Sequence, residues 1–268
     1  MKPRRPYISA LWNAVPANIQ ALLSQAIHSG VEAHKANGKP MGECPTVFFR
    51  ADDVAVPSTQ CKNMLRIFAE HDTPLGLAVV PAWITHSHLS SLLDVAPEKN
   101  HLWCWHQHGW THTNNAKQGR KCEFGNDRQT RECAGELQSG YDKLHSLLGD
   151  NFCPLFTPPW NRISKDNIQL LKDTGFKALS TTTSSPKQSI LPDIPVNIDL
   201  HTRNELTAAS GWNNLLAELT ATIATGRCGI MLHHDRMNKP AEDFLHCLLI
   251  TLQSYTVQTV PITSYMLR

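Results

Sequence analysis

Thr46-Val47-Phe48-Phe49 runs directly into Arg50-Ala51-Asp52-Asp53, and residues 58–80 follow with a helix and a second apolar run. A short apolar run led by a β-branched residue reads as a buried strand. Ser58 is placed to cap a helix over Ser58–Glu70, in which Met64, Leu65, Ile67 and Phe68 supply the apolar face. Leu75–Val80 is the next strand, closed by Pro81. Two parallel strands need a crossover, and the helix between them provides it. The charged residues Arg50, Asp52 and Asp53 fall where the first strand ends.

The same alternation continues along the chain. Further strands are expected at Leu102–Trp105, Leu155–Phe156, Ala178–Ser180, Val196–Ile198, Gly229–Leu232 and Val257–Val260. Helices are expected at Ser87–Asp94, Asp127–Leu148, Lys165–Asp173, Trp212–Ala224 and Ala241–Tyr255, with Gly149 and Thr174-Gly175 as stops. Alternating strands and helices give an α/β fold with a mostly parallel sheet, and so many units in one chain favour a barrel. Before Thr46 the pattern differs. Ile19, Leu22, Leu23, Ala26, Ile27 and Val31 repeat at helical spacing, and Gly38-Lys39-Pro40 ends that segment. The expected organisation is a helical extension over residues 1–40 and one barrel domain over residues 41–268.

Composition narrows the class. A chain of 268 residues buries roughly three quarters of its unfolded surface. Hydrophobic residues make up 41% and charged residues 18%, a globular balance. The net charge of +2 is too near balance to argue for a nucleic-acid or membrane partner. The basic start Met1-Lys2-Pro3-Arg4-Arg5 is followed by no apolar stretch of signal length, and no run of about 18 apolar residues occurs. The eight cysteines lack C-x-x-C spacing, so reduced thiols in a cytoplasmic protein are expected.

The polar residues of interest follow strand ends, where parallel barrels build their active sites. Asp52-Asp53 follow the first strand, and His106, His108 and His112 follow Leu102–Trp105. Pro158-Pro159-Trp160 follow Leu155–Phe156, and His233-His234-Asp235 follow Gly229–Leu232. If His108-Gly109-Trp110-Thr111-His112 turns helically, both imidazoles lie on one face and reach one ion. Asp53 is the natural third ligand, leaving a position for water. Two histidines and a carboxylate suit a divalent transition metal, zinc first, with cobalt, nickel or iron admitted by the same donors. Asp52 is then free to act as general base, and His234 is the candidate acid for the leaving amine. Neighbours on a strand face opposite ways, so His233 stays open as the alternative or as a substrate contact. Trp160 offers a ring face to a sugar.

These residues resemble the polysaccharide deacetylase superfamily, the domain type of chitooligosaccharide deacetylases. Arg50-Ala51-Asp52-Asp53 stands for its T-F-D-D motif, and His108-Gly109-Trp110-Thr111-His112 for H-[ST]-x-x-[HS]. Thr157-Pro158-Pro159-Trp160 stands for R-x-P-[YW], and Ile230-Met231-Leu232-His233-His234 for the last, apolar-apolar-x-H motif. Lys121-Cys122-Glu123-Phe124-Gly125 looks like a less studied bacterial branch. The resemblance implies a distorted, seven-stranded (β/α) barrel that hydrolyses an N- or O-acetyl group on a sugar. It also implies Asp52 as base, Asp53, His108 and His112 as ligands, and His234 as acid. The third-motif Arg is Thr157 here. Arg50, two residues before Asp52 and so on the same side of an extended strand, is the candidate replacement. Glu123 is a candidate contact to substrate or metal.

The resulting expectation is a cytoplasmic metal-dependent carbohydrate deacetylase acting on a saccharide unit or glycan precursor, with its oligomeric state open. Two rivals share the scaffold: a hydrolase of a non-sugar amide or formyl group, and a metal- and sugar-binding barrel without turnover.

Overall fold

The computed structural model describes residues 7–37 and 43–266, so the Gly38-Lys39-Pro40 stop lies outside the described residues. The strands are β1 (Thr46–Val54), β2 (Leu75–Val79), β3 (Trp103–His108), β4 (Phe152–Thr157), β5 (Ala178–Leu179), β6 (Ile198–Asp199), β7 (Arg227–His233) and β8 (Gln258–Thr259). The helices are α1 (Ile19–Ala36), α2 (Thr59–Glu70), α3 (His86–Leu93), α4 (Thr130–Leu148), α5 (Lys165–Thr174), α6 (Ala208–Ala224) and α7 (Lys239–Gln253). Hydrogen bonding orders the strands β5-β4-β3-β2-β1-β7-β6, with β8 beside β1. The registered pairs β2–β3, β3–β4, β4–β5, β6–β7 and β1–β8 are all parallel. This is the expected α/β class, a parallel sheet of the distorted (β/α)-barrel type with seven strands on its main path.

Two compact units divide the chain, and β1 runs from one into the other. The first takes in the chain to Arg50, Ser58–Pro74 and Asn197–Val260. There α1 packs on α6, with Gly30 facing Ile223 and the Thr220 hydroxyl donating to the Ala26 carbonyl, and Trp12, Trp212 and Phe244 form an aromatic cluster with centroids 5.0–5.5 Å apart. The second takes in Ala51–Pro57, Leu75–Val196 and Pro261–Arg268. It holds β2 to β5 with α3 to α5, and α4 packs on α5.

Local chemistry explains most boundaries. The Ser58 hydroxyl accepts from the Cys61 N–H at 3.2 Å, so α2 starts where the cap predicts. Gly175 closes α5 in the left-handed region at φ 114°. Five strands outrun their sequence-based ends, β6 and β7 by one residue each, to Asp199 and His233. β1 reaches Val54, β3 reaches His108 and β4 reaches Thr157. The residues added are mostly polar and mostly buried, so the apolar run marks only part of each strand. All eight cysteines are free of disulfides. No described helix is long and apolar enough to cross a membrane.

Candidate metal centre

Asp53 is the penultimate residue of β1, His108 is the last of β3, and His112 lies in the loop beyond it. The sequence grouped these three, and the structure brings their ligand atoms within 4.8 Å of one another. Asp53 Oδ1 is 3.3 Å from His108 Nε2 and 3.1 Å from His112 Nε2. A tetrahedral ion with arms of about 2.0–2.1 Å sets its ligand atoms about 3.3 Å apart. The separations therefore fit such an ion. His108 adds an independent observation, since its Nδ1 lies 2.9 Å from the carbonyl oxygen of Thr157. A carbonyl only accepts, so Nδ1 carries the proton and the Nε2 lone pair faces the carboxylate. Two acceptors facing each other at that distance require a proton or a cation between them.

The electrostatics agree with that requirement. Burial of His108 favours its neutral form, but the hydrogen bond to Asp53 and the charges of Asp52 and Asp53 outweigh it and raise its pKa. His112 moves the other way: burial leads, His108 adds to it, and the attraction of Asp53 does not offset them. Asp52 is buried next to Asp53 in the chain, and its charge acts on His108.

The expected helical turn over His108–His112 is not formed. The segment after β3 is irregular, with Gly109 at φ 63° and His112 at φ 58°. Its backbone donors go to a side chain instead of to carbonyls one turn back. Glu123 Oε2 accepts from the Trp110 N–H at 3.1 Å, and Oε1 accepts from the Thr111 N–H at 2.8 Å and the Thr113 N–H at 3.4 Å. The Thr111 hydroxyl donates to Oε1 as well, at 3.0 Å. Glu123 is fully buried and spends both oxygens on this loop. Its reading as a substrate or metal contact is therefore corrected: it is the acceptor that shapes the turn.

Gly109 makes this arrangement possible. A Cβ there would lie 2.1 Å from Glu123 Oε2 and 2.5 Å from Pro159 Cγ. Gly109→Ala combines a positive φ with that overlap, and is expected to cost about 2–3 kcal/mol and to weaken zinc binding. Urea unfolding with and without added zinc measures both effects.

Aromatic rings border the group. The His112 ring has Trp160 at 4.5 Å and Trp83 at 5.7 Å between centroids. Trp83 is 40% exposed. Among the described residues, the non-glycine residues with positive φ are Asp53, Asp72, His112, Trp160 and Asn161. All but Asp72 belong to this group or adjoin it. Each costs roughly 1 kcal/mol or more, and such strain concentrates where side-chain placement matters.

Thr157, standing where the resembling motif has Arg, does two jobs. Its carbonyl orients His108, and its hydroxyl lies 3.0 Å from His106 Nε2. His106 Nδ1 donates to the Cys104 carbonyl at 3.1 Å, which leaves Nε2 to accept from that hydroxyl. Sequence reading placed Thr157 at the third-motif Arg position but gave it no role, and it missed Trp83 as a neighbour of the site. Arg50 is fully buried in β1, with Nη2 3.1 Å from Met231 Sδ.

In the first unit, His233 ends β7 and buried His234 opens a short 3-10 turn. The His233 N–H donates to His201 Nδ1 at 3.1 Å. His201, also missed as a chemical group, thereby fixes the backbone at the end of β7. Its burial, then the charge of His233, push its pKa down to about 3, against the pull of Asp199. Because this is below the unfolded value of about 6.5, the unfolded state binds more protons between those pH values. Stability from this group is thus expected to fall as pH drops from about 6.5 toward 3, by up to about 1.4 kcal/mol per pH unit. Urea midpoints at neutral and acid pH should fall less in His201→Gln than in the wild type.

No family model and no curated sequence matches the chain. Solved structures do share its fold. A protein assigned as a polysaccharide deacetylase in Mycobacterium smegmatis aligns over 85% of this chain and 91% of its own, with 15% identity and a TM-score of 0.63. A peptidoglycan N-acetylglucosamine deacetylase aligns over 82% and 87%, with 13% identity and a TM-score of 0.52. A carbohydrate esterase family 4 pseudoenzyme from Bacillus anthracis aligns over 85% and 66%, with 14% identity and a TM-score of 0.51. At these identities the likeness is one of fold.

Proposed function

We propose that this chain removes an acetyl group, N- or O-linked, from a carbohydrate, with Asp53, His108 and His112 holding one divalent transition metal, zinc first among them. The observation that carries the reading is the ligand group itself, with its 3.1 and 3.3 Å separations, on a fold shared with polysaccharide deacetylases. Bound there, such an ion lowers the pKa of a water and polarises an acyl carbonyl. Asp52, whose charge already acts on His108, takes the proton from the attacking water. His108 stays oriented by the Thr157 carbonyl while this happens. His234 gives a proton to the leaving group, a role that rests on its place in the last motif, with His233 as its alternative. Trp160 and Trp83 offer ring faces to the sugar. Placement in the cytoplasm, with a saccharide unit or glycan precursor as substrate, belongs to the proposal and rests on the sequence reading.

Thr157 in place of the motif Arg favours a second reading, a barrel that binds metal and sugar without turning it over. The experiment is an acetate-release screen of the zinc-loaded protein on N- and O-acetylated sugars beside small linear and cyclic amides. Acetate from sugars supports the main reading. Release only from the non-sugar amides replaces it with an amidohydrolase, and sugar binding without release replaces it with the non-catalytic barrel.

A further inference from the structure

We propose that the acylated sugar carries an anionic substituent, carboxylate or phosphate, and that Lys121 reads it at the edge of the metal centre. The inference rests on the carbohydrate-deacetylase reading and names its substrate class more closely. The loop beyond the ligand turn holds Lys117-Gln118-Gly119-Arg120-Lys121, with all three cations exposed. The whole chain has a net charge of only +2, so this is a local concentration of positive charge.

Geometry ties that charge to the site. Lys121 Nζ lies 5.7 Å from the Trp160 ring centroid, and the Trp160 ring lies 4.5 Å from that of His112. The ammonium and the ring of His112 therefore both neighbour the same indole. The backbone at Lys121 is fixed. Arg162 Nη1 donates to the Lys121 carbonyl at 3.1 Å, and the Cys122 N–H donates to Asn114 Oδ1 at 2.9 Å. The Cys122 thiol donates to the Arg162 carbonyl at 3.3 Å, which joins the two segments a second time.

Nearby carboxylates do not neutralise these cations. Glu123 is spent on the ligand turn, and Asp127 accepts the backbone N–H of Lys117 at 3.1 Å. Among the described residues, Lys117, Arg120, Lys121 and Arg162 take part in no ion pair, unlike Arg128, which pairs with Glu132 and Glu136. A neutral acetylated sugar is served by the indole faces alone. Unpaired cations at this distance add attraction for a negatively charged one.

The test compares acetate release by the zinc-loaded protein from N-acetylglucosamine, N-acetylglucosamine 6-phosphate and N-acetylmuramic acid. The expected kcat/KM is at least about tenfold higher for a charged sugar than for the neutral one. Which charged sugar leads separates phosphate from carboxylate. Lys121→Gln should bring the ratio toward unity, Lys121→Arg should keep most of it, and added salt should shrink it. A wild-type ratio at or below unity, or a ratio unchanged in Lys121→Gln, overturns the proposal. If no sugar yields acetate, the deacetylase reading fails first. Calorimetric titration with glucosamine 6-phosphate against glucosamine then decides the anion site. Tighter binding of the phosphate sugar, lost in Lys121→Gln, sustains it, and equal binding overturns it.

Discussion

Replacing His108 by alanine is expected to leave a folded protein that releases acetate at least about a thousandfold more slowly than the wild type. His108 supplies one of the three ligand atoms that converge at Asp53 Oδ1. The Thr157 carbonyl also orients it by fixing its Nδ1 proton. With this ring gone, Asp53 and His112 remain as a two-ligand site of much lower affinity. Steady-state acetate release across a zinc titration is the measurement, with circular dichroism to establish that the variant folds. A His108→Ala protein with wild-type turnover at low zinc would remove the metal centre from the mechanism.

Asp52→Asn tests the proton transfer separately. The side chain keeps its size and loses its charge, so the buried site is little disturbed. The expected fall in kcat is about 10²–10⁴-fold, with metal content unchanged because Asp53, His108 and His112 are intact. The loss should be in kcat more than in KM, since the base acts in the transition state. Turnover within about twofold of wild type would return the base role to another group. Loss of metal together with activity would recast Asp52 as a support of the ligands, consistent with its influence on His108.

How far the sequence was readable depended on where each interaction has its partner. Apolar runs such as Val47–Phe49 and Leu75–Val79 located the strands because burial selects them residue by residue. Helix ends were equally local: Ser58 caps α2 through a residue three positions on, and Gly175 supplies the φ that stops α5. Strand ends were less readable, because His106, His108 and Thr157 are polar yet remain in their ladders.

The candidate metal-binding group was visible as residue types at strand ends, but the way it is assembled was not. Spacing of four between His108 and His112 fits a helical face, and the alternative turn depends on Glu123, a partner more distant in the chain. Gly109 takes a positive φ that the helical reading did not anticipate, and only the fold shows which carboxylate fills the space beside it. Thr157 orients His108 with a main-chain carbonyl, a group every residue has and no motif records. His201 likewise acts on the His233 backbone. Trp12, in a short 3-10 turn before α1, joins the cluster with Trp212 and Phe244 across almost the whole length of the chain.

The most direct test of the metal centre is elemental analysis of protein purified without chelator, beside the His108→Ala variant prepared identically. About one equivalent of a transition metal in the wild type, absent or much reduced in the variant, is the expected result. A wild type that is metal-free and takes up no added zinc would contradict the assignment of Asp53, His108 and His112 as ligands, and with it the hydrolytic mechanism.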